Sequence, residues 1–315
     1  MSFKLARNKL FGIKTETTQG TANNPAVSDY ITIQDATFKI GKNTIERDYK
    51  RGTLDTLASV TAERWAEIEV TVELRASGSA NDVYQELQAL FHACGTATVG
   101  NAISPISTAP ANMSSPASSA TVFVHTDGIK HVATGVVGTC KGTLEAGKVP
   151  MVTFSLKGMY SGSFDAVDPV ATGLLTSAAP IVQSINLLVD AYTPIAVSKI
   201  DFDLGTETAM LSDVNAVNAV YGFMMTGRKP TITLNPVVDT LANHNAIASM
   251  IAGTEYSITA AIGTAGNMVS MQFPQVQYSD VSYEDRNGVL AYNISGKCNG
   301  SGNNSYVITL DEHGK

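Results

Sequence analysis

The feature that most restricts the fold of this 315-residue chain is an internal echo. The run I-T-I-Q-D-A-T-F-K-I-G from Ile31 returns as I-A-V-S-K-I-D-F-D-L-G from Ile195, so that Phe38 and Phe202 stand 164 residues apart. The same offset carries Gly41 to Gly205, Arg64 to Arg228 and Ile68 to Ile232 without a gap. Identity between the halves is low, and the order of elements carries the signal. A β-rich unit present twice offers similar edges to similar neighbours, which favours a ring or array subunit over a single active site. The length suits two domains of about 150 residues each. A small-residue, Pro-containing stretch over Asp165–Ala179 divides the chain into residues 1–168 and 169–315.

Charged residues are only 16% of the chain, against about 25% in an ordinary soluble domain. A surface so poor in charge is what remains when much of it is buried against neighbours; a poorly charged monomer is the plainer alternative. The net charge of −7 argues against tight nucleic-acid binding, which needs Lys and Arg to displace counterions from phosphates. Cys94, Cys140 and Cys298 are scattered and form no C-x-x-C, so buried thiols in a reducing cytoplasm are expected. No apolar run approaches 18 residues, and the basic start M-S-F-K-L-A-R-N-K-L lacks the apolar core of a secretory signal.

Residues 1–30 read as an arm without clear period. Ile31, Ile33, Phe38 and Ile40 begin an alternating strand, and Lys42–Thr61 reads as a long charged loop, either an interaction element or a solvated hairpin tip. Over 65–75, Ile68, Val70, Val72 and Leu74 face one way while Glu67, Glu69, Thr71 and Glu73 face the other. In the second half Thr231 and Thr233 alternate with Ile232 and Leu234 between Pro230 and Pro236. A helix follows in each half. The first is capped by Asn81 or Asp82, buries Val83, Leu87, Leu90, Phe91 and Cys94, and stops at Gly95. The second starts at Asp239, carries Leu241, Ile247, Met250 and Ile251, and stops at Gly253. Residues 101–120 read as a surface loop. Asp127-Gly128 and Asn287-Gly288 mark hairpins, with closing strands ending at Gly158 and Gly296.

Candidate chemistry is thin. His125, Asp127 and His131 come nearest to a metal cluster but lack further ligands, so ordinary hairpin side chains are expected. Asp280, Glu284 and Asp285 are read as a solvated loop rather than an acid/base pair. No nucleophile elbow, zincin motif, phosphate loop or dinucleotide fingerprint occurs, and no cofactor or enzymatic activity is expected. Trp65, the single tryptophan, reads as a core anchor beside its strand. The acidic face Glu67/Glu69/Glu73 is either the wet side of a sheet or, in a closed ring, the lining of a pore. Carboxylates there would repel a passing polyanion and leave it no basic foothold.

The chain resembles the tail-tube (major tail) proteins of long, flexible-tailed bacteriophages. K-T-E-T-T-Q-G-T-A-N-N-P (residues 14–25) is similar to the family's N-terminal segment. L-R-A-S-G-S-A and E-L-Q-A-L-F-H-A-C-G-T (within 74–96) resemble its strand-to-helix passage. T-V-F-V-H-T-D-G-I-K-H-V-A-T-G-V-V-G-T (121–139) and E-A-G-K-V-P-M-V-T-F-S-L-K-G (145–158) resemble its closing strands. The resemblance covers most of the first half, and the second follows more loosely. It implies a mainly β fold of two tandem tail-tube-type β-sandwich domains, each with one flanking helix, whose sheets join neighbouring subunits into a closed β-barrel around a lumen. Family rings usually hold six single-domain subunits; the duplication here suggests three chains, a trimer with pseudo-six-fold symmetry. Implied partners are further copies of the chain, a tape-measure protein, tail terminator and distal tail proteins, and DNA in transit, with no membrane. The implied place is the virion tail, assembled in the host cytoplasm. A capsid-decoration or surface-binding module is the rival reading. Glu67, Glu69, Thr71, Glu73, Thr231 and Thr233 become lumen candidates. Arg47, Asp48, Tyr49, Lys50 and Arg51 in the first half, with Met210, Leu211, Val217 and Tyr221 in the apolar counterpart Thr206–Thr226, become candidates for ring-to-ring contact.

Overall fold

The computed structural model describes residues 3–53, 55–76, 85–99, 102–105, 119–172, 174, 179–263, 267–300 and 304–310. The expected caps Asn81 and Asp82, the face residue Val83 and most of 101–120 lie outside the described residues; of that expected loop, Ala102–Pro105 is strand instead. The first half holds β1 (Lys9–Thr15), β2 (Tyr30–Ile31), β3 (Asp35–Arg47), β4 (Leu57–Glu73), α1 (Gln85–His92), β5 (Thr96–Val99), β6 (Ala102–Pro105), β7 (Ala120–Thr126), β8 (Ile129–Glu145) and β9 (Met151–Asp165). The second holds β10 (Asn186–Val189), β11 (Lys199–Asp203), β12 (Thr206–Ser212), β13 (Val220–Arg228), β14 (Thr231–Leu234), α2 (Ala246–Ala252), β15 (Glu255–Ile262), β16 (Val269–Arg286), β17 (Val289–Asn299) and β18 (Val307–Leu310). The fold is mainly β, as the alternating runs require.

Strand pairing repeats from half to half. In the first, β1 pairs with β7, β7 with β8, β8 with β9, β9 with β4 and β4 with β3. In the second, β10 pairs with β15, β15 with β16, β16 with β17, β17 with β14 and β14 with β11. The echoed glycines occupy matching places. Gly41 lies opposite Trp65, and a Cβ on it would stand 2.1 Å from the indole; Gly205 lies against Lys229, with the carbonyl 2.1 Å from such a Cβ.

The halves share one sheet and one core. β8 gives its far end to β11, in the register Lys199↔Glu145 through Asp203↔Lys141, and β18 pairs with β6. Phe91, Phe154, Leu156 and Leu144 from the first half and Ile200, Phe202, Phe273 and Ile294 from the second belong to one buried cluster. Phe202 packs where Gly142 leaves no side chain; a Cβ there would meet its ring at 2.1 Å. A second, smaller cluster joins Val137 to Val220, Phe223 and Met225 under Trp65, Met159 and Met210, so the β12–β13 hairpin leans on the first half. The sheet of the single chain is open, not closed into a barrel.

Several local expectations change. β1 is an integral strand rather than part of an arm: all seven of its residues pair with β7, and Phe11 is fully buried. Lys14 and Gly12 hide its alternation in the sequence. The charged stretch 42–61 is mostly ribbon, with Lys42↔Arg64, Thr44↔Thr61 and Ile45↔Val60 in register, and only its tip is loop. β9 and β17 run past Gly158 and Gly296 to Asp165 and Asn299. In α1, Leu87, Leu90 and Phe91 are buried as expected, Cys94 is buried just past its end, and Gly95 turns the chain at φ +81. α2 starts at Ala246, where the Asn245 side chain accepts from Ala248 N–H, and ends at left-handed Gly253. Asp239 instead accepts from Thr240 N–H and the Asn243 amide, and Leu241 and Ile251 face solvent. Both hairpin turns stand as read, with Asp127, Gly128, Asn287 and Gly288 all at positive φ.

Candidate functional site

Eight strands run side by side in the order β3-β4-β9-β8-β11-β14-β17-β16, four from each half. One face packs on the core through Ile68, Val70, Phe154, Leu156, Ile200, Phe202 and Ile232. The other is mostly polar, because every strand alternates with period two and the registers keep like faces aligned, but at one end Trp65, Val137 and Met159 lie on it under the β12–β13 hairpin, and Met151 lies opposite Glu73. Glu67 faces Lys39 on one side and Lys157 on the other; Glu69 faces Thr37 and Ser155; Thr71 faces Asp35 and Thr153. Across the junction Asp201 meets Thr143 and Thr233, and Asp203 meets Lys141 and Thr231. Thr231 in turn faces Lys297. The six lumen candidates Glu67, Glu69, Thr71, Glu73, Thr231 and Thr233 therefore share one face spanning both halves.

That face is not uniformly acidic. Exposed Lys39, Lys157, Lys141, Lys199 and Lys297 alternate with the carboxylates. Lys141 lies 3.1 Å from Asp203, Lys199 lies 2.7 Å from Asp201, and the Thr143 hydroxyl donates to Asp201 at 2.7 Å. The expectation of a face without basic groups came from one strand read without its neighbours. A shallow groove over Thr37, Lys39, Glu67, Glu69, Ser155 and Lys157 follows the same alternation.

The ring-to-ring candidates lie on two long hairpins, β3–β4 and β12–β13. Arg47, Asp48, Tyr49, Lys50 and Arg51 lie at the first tip and are exposed, with the Arg47 guanidinium 5.9 Å from the centre of the Tyr49 ring. Val217 and Tyr221 are exposed at the second tip, and Leu211 is partly so. Met210 differs: it packs inward against the cluster beneath the β12–β13 hairpin. Trp65 anchors that same hairpin, with its indole N–H donating to Glu67 at 2.9 Å.

A residue missed in the sequence organises the N-terminal segment. Glu16 is 4% exposed, and its carboxylate accepts from Gly20 N–H, Ser119 Oγ, Thr121 Oγ1 and Gly135 N–H at 2.7–2.8 Å. Next to it, Gln19 donates to the Phe223 carbonyl, tying this turn to β13. A Glu in a Thr-rich stretch carries no sequence signal of burial.

The histidines do not converge. His131 stands opposite Val124 and His125 opposite Lys130, so their side chains leave opposite faces of the hairpin. His125 is buried between Tyr30, whose hydroxyl is 2.9 Å from Nε2, and Asp168, 3.3 Å from Nδ1. Burial lowers its pKa in spite of that carboxylate. His131 stacks on Phe38. Among the described residues no group of three His, Cys, Asp or Glu side chains is placed to hold a metal ion, and no helix is long and apolar enough to cross a membrane. Cys94, Cys140 and Cys298 are buried free thiols, and burial pushes Cys298 up to about 12. Asp280, Glu284 and Asp285 lie on β16, not in a loop.

No curated protein matches the chain. The model of one family does, over residues 6–310, which is nearly the whole length and both halves at once. With that match, on a sheet that alternates polar and core faces across eight strands, the chain belongs to the phage tail tube protein family.

Proposed function

We propose that three copies of this chain close into a ring of six similar units, and that rings stack into the tube through which phage DNA leaves the capsid. The observation that carries this is the run of eight strands, mostly polar on one face, apolar on the other, with a free edge along β3 at one end and along Asp280–Arg286 of β16 at the other. Open edges are costly in isolation, and closure removes them. A head-to-tail contact closes into a ring when its rotation divides a full turn. Residues 1–168 and 169–315 then act as successive units, fused through a common core. The family match supports the structural, non-enzymatic role.

Glu67, Glu69, Thr71, Glu73, Thr231 and Thr233 face the lumen, interleaved with lysines. Carboxylates and lysines alternate along this wall, so a polyanion meets no continuous basic track on which to stick, and the fields of the paired charges stay short-ranged. The hairpin tips at Arg47–Arg51 and around Leu211, Val217 and Tyr221 reach the next ring. Before DNA, the lumen holds a tape-measure protein; terminator and distal tail proteins cap the two ends. The tube forms in the host cytoplasm and is carried in the virion.

Negative-stain electron microscopy of the purified protein tests this reading. Stacked rings with a central channel and pseudo-six-fold end views are expected. A protein that sediments as a monomer at every concentration and shows no rings would overturn it, and would favour a decoration module instead.

A further inference from the structure

The chain contains a worked example of how one unit meets the next. Inside it, β11 of the second half docks on the far end of β8 of the first. Resting on the ring reading above, we infer that the contact between copies repeats this junction: β3 of one copy pairs antiparallel with the end of β16 of another, with Asp35 opposite Arg286 and Lys39 opposite Ser282.

The register follows from the pairing alone. Ile68 and Ile232 are equivalent, and they face Leu156 and Gly296. Counting along β9 and β17, Thr153 matches Asn293 and Met151 matches Ala291. Their partners are Lys141 and Ser282, and Thr143 and Glu284. The bulge between Tyr278 and Asp280 accounts for the one extra residue in β16. On the other side, Lys199–Asp203 is equivalent to Asp35–Lys39 by the 164-residue echo. Transposing Lys199↔Glu145, Asp201↔Thr143 and Asp203↔Lys141 gives Asp35↔Arg286, Thr37↔Glu284 and Lys39↔Ser282.

The chemistry at these positions is complementary with its ends exchanged. A Lys opposite a Glu becomes an Asp opposite an Arg. A Thr hydroxyl donating to Asp201 becomes Thr37 facing Glu284. On the other face Phe202 over Gly142 becomes Phe38 opposite Tyr283, which is 55% exposed in the lone chain. One step further, the Leu204 N–H donates to the Cys140 carbonyl at 3.0 Å; the transposed pair is Ile40 and Val281. Leu204 is 0% exposed, whereas Ile40 is 47% exposed. The equivalent side chain is covered where the neighbouring unit is present and bare where it is not.

The edge of β3 is meanwhile held by stand-ins. The Ala36 N–H donates to Asp35 Oδ1 at 2.9 Å, and the Ala36 carbonyl accepts from Lys9 Nζ at 2.8 Å. In the internal junction the equivalent backbone groups, those of Ile200, point at β8. Lys9 and Asp35 thus satisfy a strand edge that is waiting for a partner, and a charged plug of this kind discourages indiscriminate pairing. Docking of β16 would release Asp35 to meet Arg286, which is itself positioned by the carbonyls of Asn235 and Ala196.

Cysteine trapping tests the register. Thr37 and Glu284 form a non-hydrogen-bonded pair, where Cβ atoms approach closely enough for a disulfide. In assembled T37C/E284C protein, mild oxidation is expected to give covalent dimers and trimers on a non-reducing gel, absent from either single variant. Tubes that form normally but cross-link only in a shifted pair such as T37C/S282C would overturn the register and leave the tube reading intact. Absence of any assembly, in wild type too, would overturn both. As a second arm, T37E sets two carboxylates opposite each other and is expected to raise the concentration needed for assembly by about tenfold, with recovery in T37E/E284K. Circular dichroism should show both variants folded, since the sites are exposed; unchanged assembly of folded T37E would refute the pairing.

Discussion

Replacing Glu16 by Gln removes a charge and one acceptor while keeping the shape of the side chain. In the wild type each carboxylate oxygen accepts one backbone N–H and one hydroxyl: Gly20 N–H and Ser119 on Oε2, Gly135 N–H and Thr121 on Oε1. A hydroxyl can turn its proton away from an amide NH₂, but a backbone N–H cannot. Either orientation of the new side-chain amide therefore leaves one buried N–H facing another donor, at a cost of about 1–3 kcal/mol. The bonds that survive lose their ionic assistance, which adds roughly 1 kcal/mol. The expected loss is about 2–4 kcal/mol, read as a lower urea midpoint with unchanged slope. Because Gln19 ties this turn to Phe223, amide exchange should also quicken in β13, far away in sequence. A midpoint shift worth less than about 0.5 kcal/mol, or faster exchange confined to the first strand, would refute the reasoning.

Other consequences can be measured directly. Trp65→Ala should cost about 3 kcal/mol and free the β12–β13 hairpin, seen as faster proteolysis near Asp213–Ala219; protection unchanged there would mean that the indole does not hold the hairpin. Gly142→Val should strain the seam between the two halves, because any Cβ meets Phe202 at 2.1 Å; a loss of about 1–3 kcal/mol is expected, and a neutral result would deny the close packing. Burial holds His92, His125, His131 and His244 below their ordinary value of 6.5. The unfolded chain then binds more protons, so stability is level above about pH 6.5 and falls below it; a urea midpoint equal at pH 7 and pH 5 would contradict this. Changing Glu67 and Glu69 to Lys should leave tubes intact but reduce DNA delivery, and undiminished delivery would remove these residues from the lumen.

The strands that alternate cleanly were legible. Ile68 to Leu74 against Glu67 to Glu73 fixes both the strand and its wet face, and the Asp-Gly and Asn-Gly turns place two hairpins to the residue. What the sequence hid depends on partners distant in the chain. Glu16 is buried because Ser119, Thr121 and Gly135 converge on it. Lys39 and Lys157 come to stand opposite Glu67 only once three strands are aligned. Residues 42–47 and 57–61 form a ribbon because each strand satisfies the other's backbone, although neither has an apolar face to announce it. Helix α2 begins later than Asp239 suggests, since Asn245 offers a cap and the residues before it turn back on themselves.

In the proposed ring, the fusion of two units into one chain would change the energetics of closure. Of the two kinds of junction in a six-unit ring, one becomes intramolecular, where the tether supplies an effective concentration of order millimolar or more. That junction has gone on to merge with the core: Gly142 accepts the ring of Phe202, Leu144 lies beside Ile200, and all are buried. Within the chain this seam is part of one buried cluster drawn from both halves. The junction between copies must instead stay soluble until a neighbour arrives. Its proposed equivalents carry less aliphatic surface at two positions, Asp285 for Leu144 and Ala36 for Ile200, while Tyr283 stands where Gly142 does and Ile40 remains bare. On the proposed pairing the same backbone register would serve a permanent seam and a conditional one, with Asp35, Asp285 and Arg286 letting the second face water alone. Ring closure would then be limited by the conditional seam, so its assembly should be the step that responds to salt, through Asp35, Lys39, Glu284 and Arg286.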